Sequence, residues 1–115
     1  MDPIDNHINY FEFLAKDLNR IKEFYTAVFY WTFTDYGPTY TAFSDSGIQG
    51  GFEQSDEEIT NGALVILYHQ NLEVIKDIVV AAGGKISKEI FSFPGGRRFQ
   101  FFDPSGNELA VWSEN

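Results

Sequence analysis

The sequence predicts an α+β domain made of two successive βαβββ modules. Three observations carry this expectation: a pair of helical segments that repeat, a strand-like run ahead of each, and three strand-like runs behind each. A chain of 115 residues suffices for one domain with a modest core, since domains commonly hold about 100–150 residues. Both modules are therefore assigned to a single domain over 1–115, with 5–54 as the first module, 55–62 as a linker and 63–115 as the second.

Sliding the chain against itself by 54 positions brings Asp17-Leu18 onto Asn71-Leu72. Ile21 then falls on Ile75, Lys22 on Lys76, Glu23 on Asp77, Phe24 on Ile78 and Ala27 on Ala81. Asp17 and Asn71 are N-cap residues, whose side-chain oxygens accept from free amides of the first turn. Leu18, Ile21, Phe24, Tyr25 and Val28 have the spacing of a helix with one buried face, as do Leu72, Ile75, Ile78, Val79 and Ala82. Gly83-Gly84 ends the second helix.

Residues 8–14 and 63–68 read as the strands that lead into the helices. After the first helix come 31–36, 39–45 and 48–54, divided by Gly37-Pro38 and Ser46-Gly47. After the second come 85–91, 97–102 and 107–113, divided by Pro94-Gly95-Gly96 and Pro104-Ser105-Gly106. The acidic run Asp56-Glu57-Glu58 reads as a solvated part of the linker, which ends at Asn61-Gly62. Pro94-Gly95-Gly96-Arg97 lacks the helix and the Lys-Ser/Thr ending of a phosphate cradle, and is expected to be a flexible rim loop.

Alternation along the strands assigns faces. Phe11 and Phe13 oppose Tyr10 and Glu12; Ala63, Val65 and Leu67 oppose Leu64, Ile66 and Tyr68. Phe99 and Phe101 oppose Arg98, Gln100 and Phe102, while Leu109 and Val111 oppose Glu108, Ala110 and Trp112. The purely apolar sets are expected to pack on the helices, and the mixed sets to line a pocket on the other face, because Trp112 and Phe102 are costly to leave in water. Twelve Phe, six Tyr and two Trp give the material for an aromatic cavity.

A net charge of −9 disfavours phosphate-bearing partners, so neither nucleic acid nor an anionic membrane surface is expected to bind. The absence of cysteine removes disulfides, thiolate catalysis and zinc–thiolate sites. No stretch approaches the ~18 apolar residues of a membrane span, and Met1-Asp2-Pro3-Ile4-Asp5 is unlike a secretory signal, so a cytoplasmic location is the expectation.

The segment Asp17-Leu18-Asn19-Arg20-Ile21-Lys22-Glu23-Phe24-Tyr25 through Trp31 resembles the first helix of vicinal oxygen chelate proteins, the superfamily of glyoxalases, bleomycin-resistance proteins and extradiol dioxygenases. Tyr30 stands where that pattern often has Gly. Phe102-Asp103-Pro104-Ser105-Gly106-Asn107-Glu108-Leu109 is similar to its Asp-Pro-x-Gly-Asn turn before the last strand. With the repeat, the resemblance spans nearly the whole chain and implies a curled mixed sheet forming a cup.

In metal-dependent members of that superfamily, four His, Gln or Glu ligands come from the first and last strands of each half. The resemblance puts these positions at Tyr10, Leu64, Ala110 and either Gly51 or, two residues earlier, Gln49. Tyr10, Gly51, Leu64 and Ala110 are not an effective set for a divalent ion, so no metal and no cofactor is expected. His7 and His69 lack companions at ligand spacing and are expected at the surface.

Glu12 and Glu108 are the candidate catalytic residues, since alternation places both beside aromatics, where a desolvated carboxylate suits a general base. The competing reading is an ion pair with Arg98 on the same face. Tyr10, Gln49, Leu64, Tyr68, Arg98, Gln100, Ala110 and Trp112 are the candidate ligand-binding residues, with Tyr10, Tyr68 and Trp112 suited to stack on a planar or cationic ligand or else to fill an aromatic core. The functional expectation is a small-molecule-binding protein without the superfamily metal, by analogy with bleomycin-resistance proteins. The alternatives are a lyase or isomerase of glyoxalase type, metal-independent with a carboxylate base or holding an atypical metal, and an interaction module with a filled cup. A homodimer is expected, because two small half-barrels leave sheet edges that need partners.

Overall fold

In the computed structural model, which describes residues 2–59, 62–104 and 106–115, the described residues form eight strands and two helices in the order βαβββ-βαβββ. These are β1 (Ile8–Ala15), α1 (Leu18–Phe29), β2 (Thr32–Asp35), β3 (Tyr40–Ser44), β4 (Gly50–Gln54), β5 (Leu64–Tyr68), α2 (Leu72–Ala81), β6 (Lys85–Phe93), β7 (Gly96–Phe102) and β8 (Glu108–Ser113). Asn61, in the linker, and Ser105, in the last turn, lie outside the described residues.

Both helices begin as the capping residues dictate. Asp17 accepts from Arg20 N at 3.2 Å and Asn71 Oδ1 accepts from Val74 N at 3.2 Å. They end differently. α1 closes on Tyr30, a non-glycine residue in the left-handed region with φ 61°, whose N–H bonds to Thr26 O. After α2 the left-handed residue is Gly83, φ 102°, which has no Cβ to crowd the carbonyl.

The chain divides into two compact units. One is contiguous, Tyr10–Ala63, with strand order β2-β3-β4-β1. β1 and β4 run parallel, pairing Glu12 with Gly51 and Phe13 with Phe52; the remaining pairs are antiparallel. Ala15, Leu18, Phe43 and Phe52 form its core, with Phe13, Ile21, Tyr25, Trp31 and Phe33 packed around them. Tyr25 stacks on Trp31 at 4.6 Å between ring centroids and Phe13 on Phe52 at 5.5 Å.

The other unit joins the segment ending at Asn9 to Leu64–Asn115, with strand order β5-β8-β7-β6. β5 and β8 are parallel, pairing Ile66 with Ala110, and the rest is antiparallel. Leu72, Phe99 and Val111 form its core, flanked by Leu67, Ile75, Val79, Ile86, Ile90 and Phe101. This division differs from the expected module boundary. Asn6 and His7 bond through their backbones to Tyr68, and Asn9 Oδ1 accepts from Trp112 Nε1, so the start of β1 is tied to the second module's strands.

The structure also corrects two local expectations. Phe24, Val28 and Ile78 are half exposed, at 53%, 50% and 54%, although their spacing marked them as core. Each helix covers its sheet along one narrow line, Leu18–Ile21–Tyr25 or Leu72–Ile75–Val79; Phe24 and Ile78, each one step from that line, are rotated by about 100° away from it, while Val28 lies in the last turn of α1, beyond the residues packed on the core. The expected rim loop is instead a two-residue turn: Phe93 pairs with Gly96, leaving Pro94-Gly95 at the apex with Gly95 at φ 111°. Gly96 then lies so close to Ser113 O that no Cβ fits there.

Candidate functional site

In the Tyr10–Ala63 unit, alternation carries Tyr10 and Glu12 of β1 to the face opposite α1, while Phe13 joins the helix-side core. Glu12 is 6% exposed. Tyr40 Oη donates to Glu12 Oε1 at 3.0 Å, and the Tyr10 and Tyr40 hydroxyls are 2.7 Å apart. A phenol has one proton, so with Tyr40's given to Glu12 the proton between the tyrosines is Tyr10's. β4 lies between β3 and β1, so the Tyr40–Glu12 bond crosses over Gly51. A Cβ on Gly51 would stand 2.6 Å from Tyr40 Oη and 2.7 Å from Tyr10 Oη. The two phenols thus occupy the space that a side chain at position 51 would need. Burial, then the charge of Glu12, then the Tyr10 hydroxyl drive the Tyr40 pKa far above the usual phenol value, so Tyr40 remains a neutral donor.

In the unit containing Leu64–Asn115, the face opposite α2 carries a row of polar contacts. Ser87 Oγ donates to Glu108 Oε2 at 2.7 Å, and Gln100 Nε2 donates to the same oxygen at 3.1 Å. Gln100 Oε1 in turn accepts from Arg98 Nη2 at 3.2 Å. Gln100 is 4% exposed, and its amide orientation is set by having a carboxylate on one side and a guanidinium on the other. Arg98 also lies over the Phe91 ring, with Cζ 5.4 Å from the centroid. Glu108 is exposed, unlike Glu12.

Trp112 sits beside this row, in register with Arg98 on one side and Tyr68 on the other. Its indole N–H is anchored on Asn9 Oδ1 at 2.9 Å, and its ring meets Tyr68 edge-on at 5.4 Å and Phe93 at 6.5 Å. The Tyr68 hydroxyl donates to Glu114, and this bond to a carboxylate is the main cause of a Tyr68 pKa pushed up to about 12.

The structure therefore joins Tyr10 with Glu12 in one unit, and Arg98, Gln100 and Glu108 with one another in the second. Tyr68 and Trp112 meet there too, and Ala110 is fully buried between Gln100 and Ile66 in the ladders. Leu64 opens β5. Gln49 is exposed and precedes β4, contributing its backbone O to Phe11 N at 3.1 Å. His69 braces a turn, its Nδ1 accepting from Asn71 N at 2.9 Å while Nε2 lies 3.9 Å from Asp5. Tyr40, Ser87, Phe91 and Asn9 were not singled out from the sequence. Their roles depend on strand register.

The register also decides between Gly51 and Gln49. Glu12 pairs with Gly51 as its repeat mate Ile66 pairs with Ala110, so Gly51 is the counterpart of Ala110. The donor set at Tyr10, Gly51, Leu64 and Ala110 does not fit a divalent ion. Leu64 and Ala110 offer no donor atom, and a ligand side chain at 51 would displace two phenols. Among the described residues no three His, Cys, Asp or Glu side chains cluster elsewhere in a way that could hold one.

Comparison with known proteins bears on the fold. The chain is similar to a protein from Legionella pneumophila described as an NAD-dependent benzaldehyde dehydrogenase, with TM-score 0.73 and 17% identity over 91% of this chain and 97% of that one. It is similar to the Mn(II)-bound glyoxalase of Novosphingobium aromaticivorans, with TM-score 0.69 and 25% identity over 96% of this chain but only 39% of that one. Methylmalonyl-CoA epimerase from Mycobacterium tuberculosis matches with TM-score 0.73 and 10% identity over 98% of this chain and 91% of that one. No curated protein sequence matches at a significant level. The model of the Glyoxalase/Bleomycin resistance protein/Dioxygenase superfamily matches residues 7–111, and with the doubled βαβββ order this shows that the chain belongs to that superfamily.

Proposed function

We propose that this chain is a small-molecule-binding protein that uses the sheet faces opposite its helices and dispenses with the metal site of its superfamily. The observation that carries the reading is Gly51: its side-chain space is filled by the Tyr10 and Tyr40 hydroxyls, which are fastened to the buried carboxylate Glu12. The ligand class is planar, neutral or cationic, with Tyr10 or Trp112 as the stacking surface and Glu12 or Glu108 as the orienting charge. The net charge of −9 favours such a ligand over an anion and argues against nucleic acid or an anionic membrane surface as partner. No helix among the described residues is long and apolar enough to cross a membrane, and a cytoplasmic homodimer is the state in which we place the protein.

A metal-independent lyase or isomerase is the second reading. It is favoured by the burial of Glu12 against a phenolic donor, a setting in which a carboxylate can exchange a proton with a bound substrate. One experiment separates the two. The purified protein is screened by Trp fluorescence against planar aromatic amines and cationic glycopeptides, and assayed for turnover of α-oxoaldehyde thiol adducts and epoxides, with elemental analysis of the same sample. Saturable binding without turnover and without stoichiometric metal supports the binding protein. Turnover abolished by Glu12→Gln supports the enzyme. One tightly held nickel, zinc or iron per chain, removed together with turnover by chelation, overturns the metal-free reading.

A further inference from the structure

One carboxylate of the Leu64–Asn115 unit is exposed and yet held from two sides. Glu108 Oε2 accepts from Ser87 Oγ at 2.7 Å and from Gln100 Nε2 at 3.1 Å, although Ser87 stands on β6 and Glu108 on β8, with β7 between them. Gln100 is itself fixed, being buried and accepting from Arg98 Nη2 at its own Oε1. Holding an exposed glutamate in one conformation costs side-chain entropy, which a purely solvated residue would keep.

The backbone adds an independent observation. Ile86 pairs with Phe101 and Lys88 with Gln100, so Ser87 is the extra residue of a bulge in β6. A bulge interrupts the ladder and re-aims a side chain. Here the side chain concerned is the one whose hydroxyl donates to Glu108.

The bonds made at Oε2 define what the carboxylate can still accept. Each carboxylate oxygen has two lone pairs, and those of Oε2 are both used. Among the described residues Oε1 accepts no hydrogen bond and Glu108 forms no ion pair. A cation that donates at one point therefore fits, whereas a forked guanidinium or amidinium, which uses both oxygens, is disfavoured. Phe102 pairs directly with Glu108 in the ladder, so its ring shares that face, and it is 37% exposed. Lys85 pairs with Phe102 from the other side and is in no ion pair among the described residues, so its charge opposes a second cation at this place.

We propose that the face opposite α2 binds its ligand through one ammonium group, which donates to Glu108 Oε1 while an attached apolar or aromatic group lies against Phe102. Ser87 and Gln100 are positioning residues for the carboxylate, and by filling Oε2 they set the preference for ammonium over amidinium. The inference rests on the small-molecule-binding reading given above and narrows its ligand class.

NMR titration of the backbone amides of the full chain with benzylamine, benzamidine and benzyl alcohol at neutral pH tests it. Benzylammonium should perturb Ser87, Phe102 and Glu108, and should bind about tenfold or more tightly than the neutral alcohol of the same shape. It should also bind more tightly than benzamidinium. Glu108→Gln should erase the advantage of the ammonium over the alcohol. Ser87→Ala frees one lone pair of Oε2 and should shift the preference toward the amidinium, an effect that loss of packing would not produce. Lys85→Gln should tighten ammonium binding, a gain that misfolding cannot mimic. Ammonium binding that Glu108→Gln leaves unchanged, or that perturbs only amides outside β6, β7 and β8, overturns this site and leaves the binding-protein reading standing. Failure of benzylammonium to bind also overturns the site, and it overturns the binding-protein reading as well only when every compound of the fluorescence screen fails too.

Discussion

Tyr40 Oη reaches Glu12 Oε1 across 3.0 Å although their strands are not neighbours, and the bond passes over the backbone of Gly51 on the strand between. A buried carboxylate is thereby given a neutral donor in a region whose opposite face is packed with Phe. The donor, the acceptor and the glycine form one unit, and altering any of them should disturb the other two.

Tyr40→Phe removes this donor and keeps the ring. The buried carboxylate of Glu12 then lacks the bond, at a cost of about 1–3 kcal/mol in unfolding free energy. Tyr10→Phe, which removes only the outer phenol proton, should cost less. Urea melts of both variants give the comparison.

Gly51→Ala places a methyl group 2.6–2.7 Å from both phenol oxygens and 2.8 Å from Thr41 O. Overpacking of this kind costs about 1–3 kcal/mol. Adding Tyr10→Phe and Tyr40→Phe removes two of the three obstacles, so the cost of Gly51→Ala in that background should fall by at least about 0.5 kcal/mol, measured as a coupling energy.

Alkali should destabilise the fold as pH rises above the ordinary phenol value of about 10. Tyr40 and Tyr68 have folded pKa values raised above the unfolded value, which lies near 10. Their protonated forms therefore contribute full stability below pH about 10, and the contribution is lost as pH rises above it. The loss from Tyr68 is complete near its folded value of about 12, whereas Tyr40 keeps its proton until the chain unfolds. Urea midpoints followed with tyrosinate absorbance should fall above pH about 10 in the parent, and less steeply in Tyr68→Phe.

Replacing Glu108 by Gln keeps its size at an exposed position. Stability should change by less than about 1 kcal/mol, while a direct contact with a cationic ligand would lose about tenfold or more in affinity. Trp112→Ala should lower both affinity and stability, because the indole is packed on Tyr68 and Phe93 and bonded to Asn9. A ligand that binds Glu12→Gln and Glu108→Gln as tightly as the parent would show that both carboxylates are structural.

Much of the architecture was legible because it is encoded locally. Asp17 and Asn71 announce their helices, and strand alternation correctly separated Glu12 from Phe13 and Gln100 from Phe99. Tyr40 was missed for a physical reason: its partner lies two strands away, and only the register β3-β4-β1 with glycine at 51 brings the two together. Periodicity also overstated the helix cores. It marks every apolar residue on one side, whereas a single helix on a sheet buries only the line of closest approach, leaving Phe24 and Ile78 outside it.

The uneven division of the chain bears on how it is made. The Tyr10–Ala63 unit is one uninterrupted stretch, so all of its pairing strands are available once synthesis has passed Ala63. The other unit cannot be finished in that way, since Trp112 must return to Asn9 across 103 intervening steps of sequence. Closing so long a loop is entropically slow, and the Ile8–Asn9 end of β1 has to wait for it. During vectorial synthesis the aromatic-rich first unit is therefore positioned to form early, and the indole clasp between Trp112 and Asn9 becomes the late step that a ribosome-stalled fragment ending before β8 would lack.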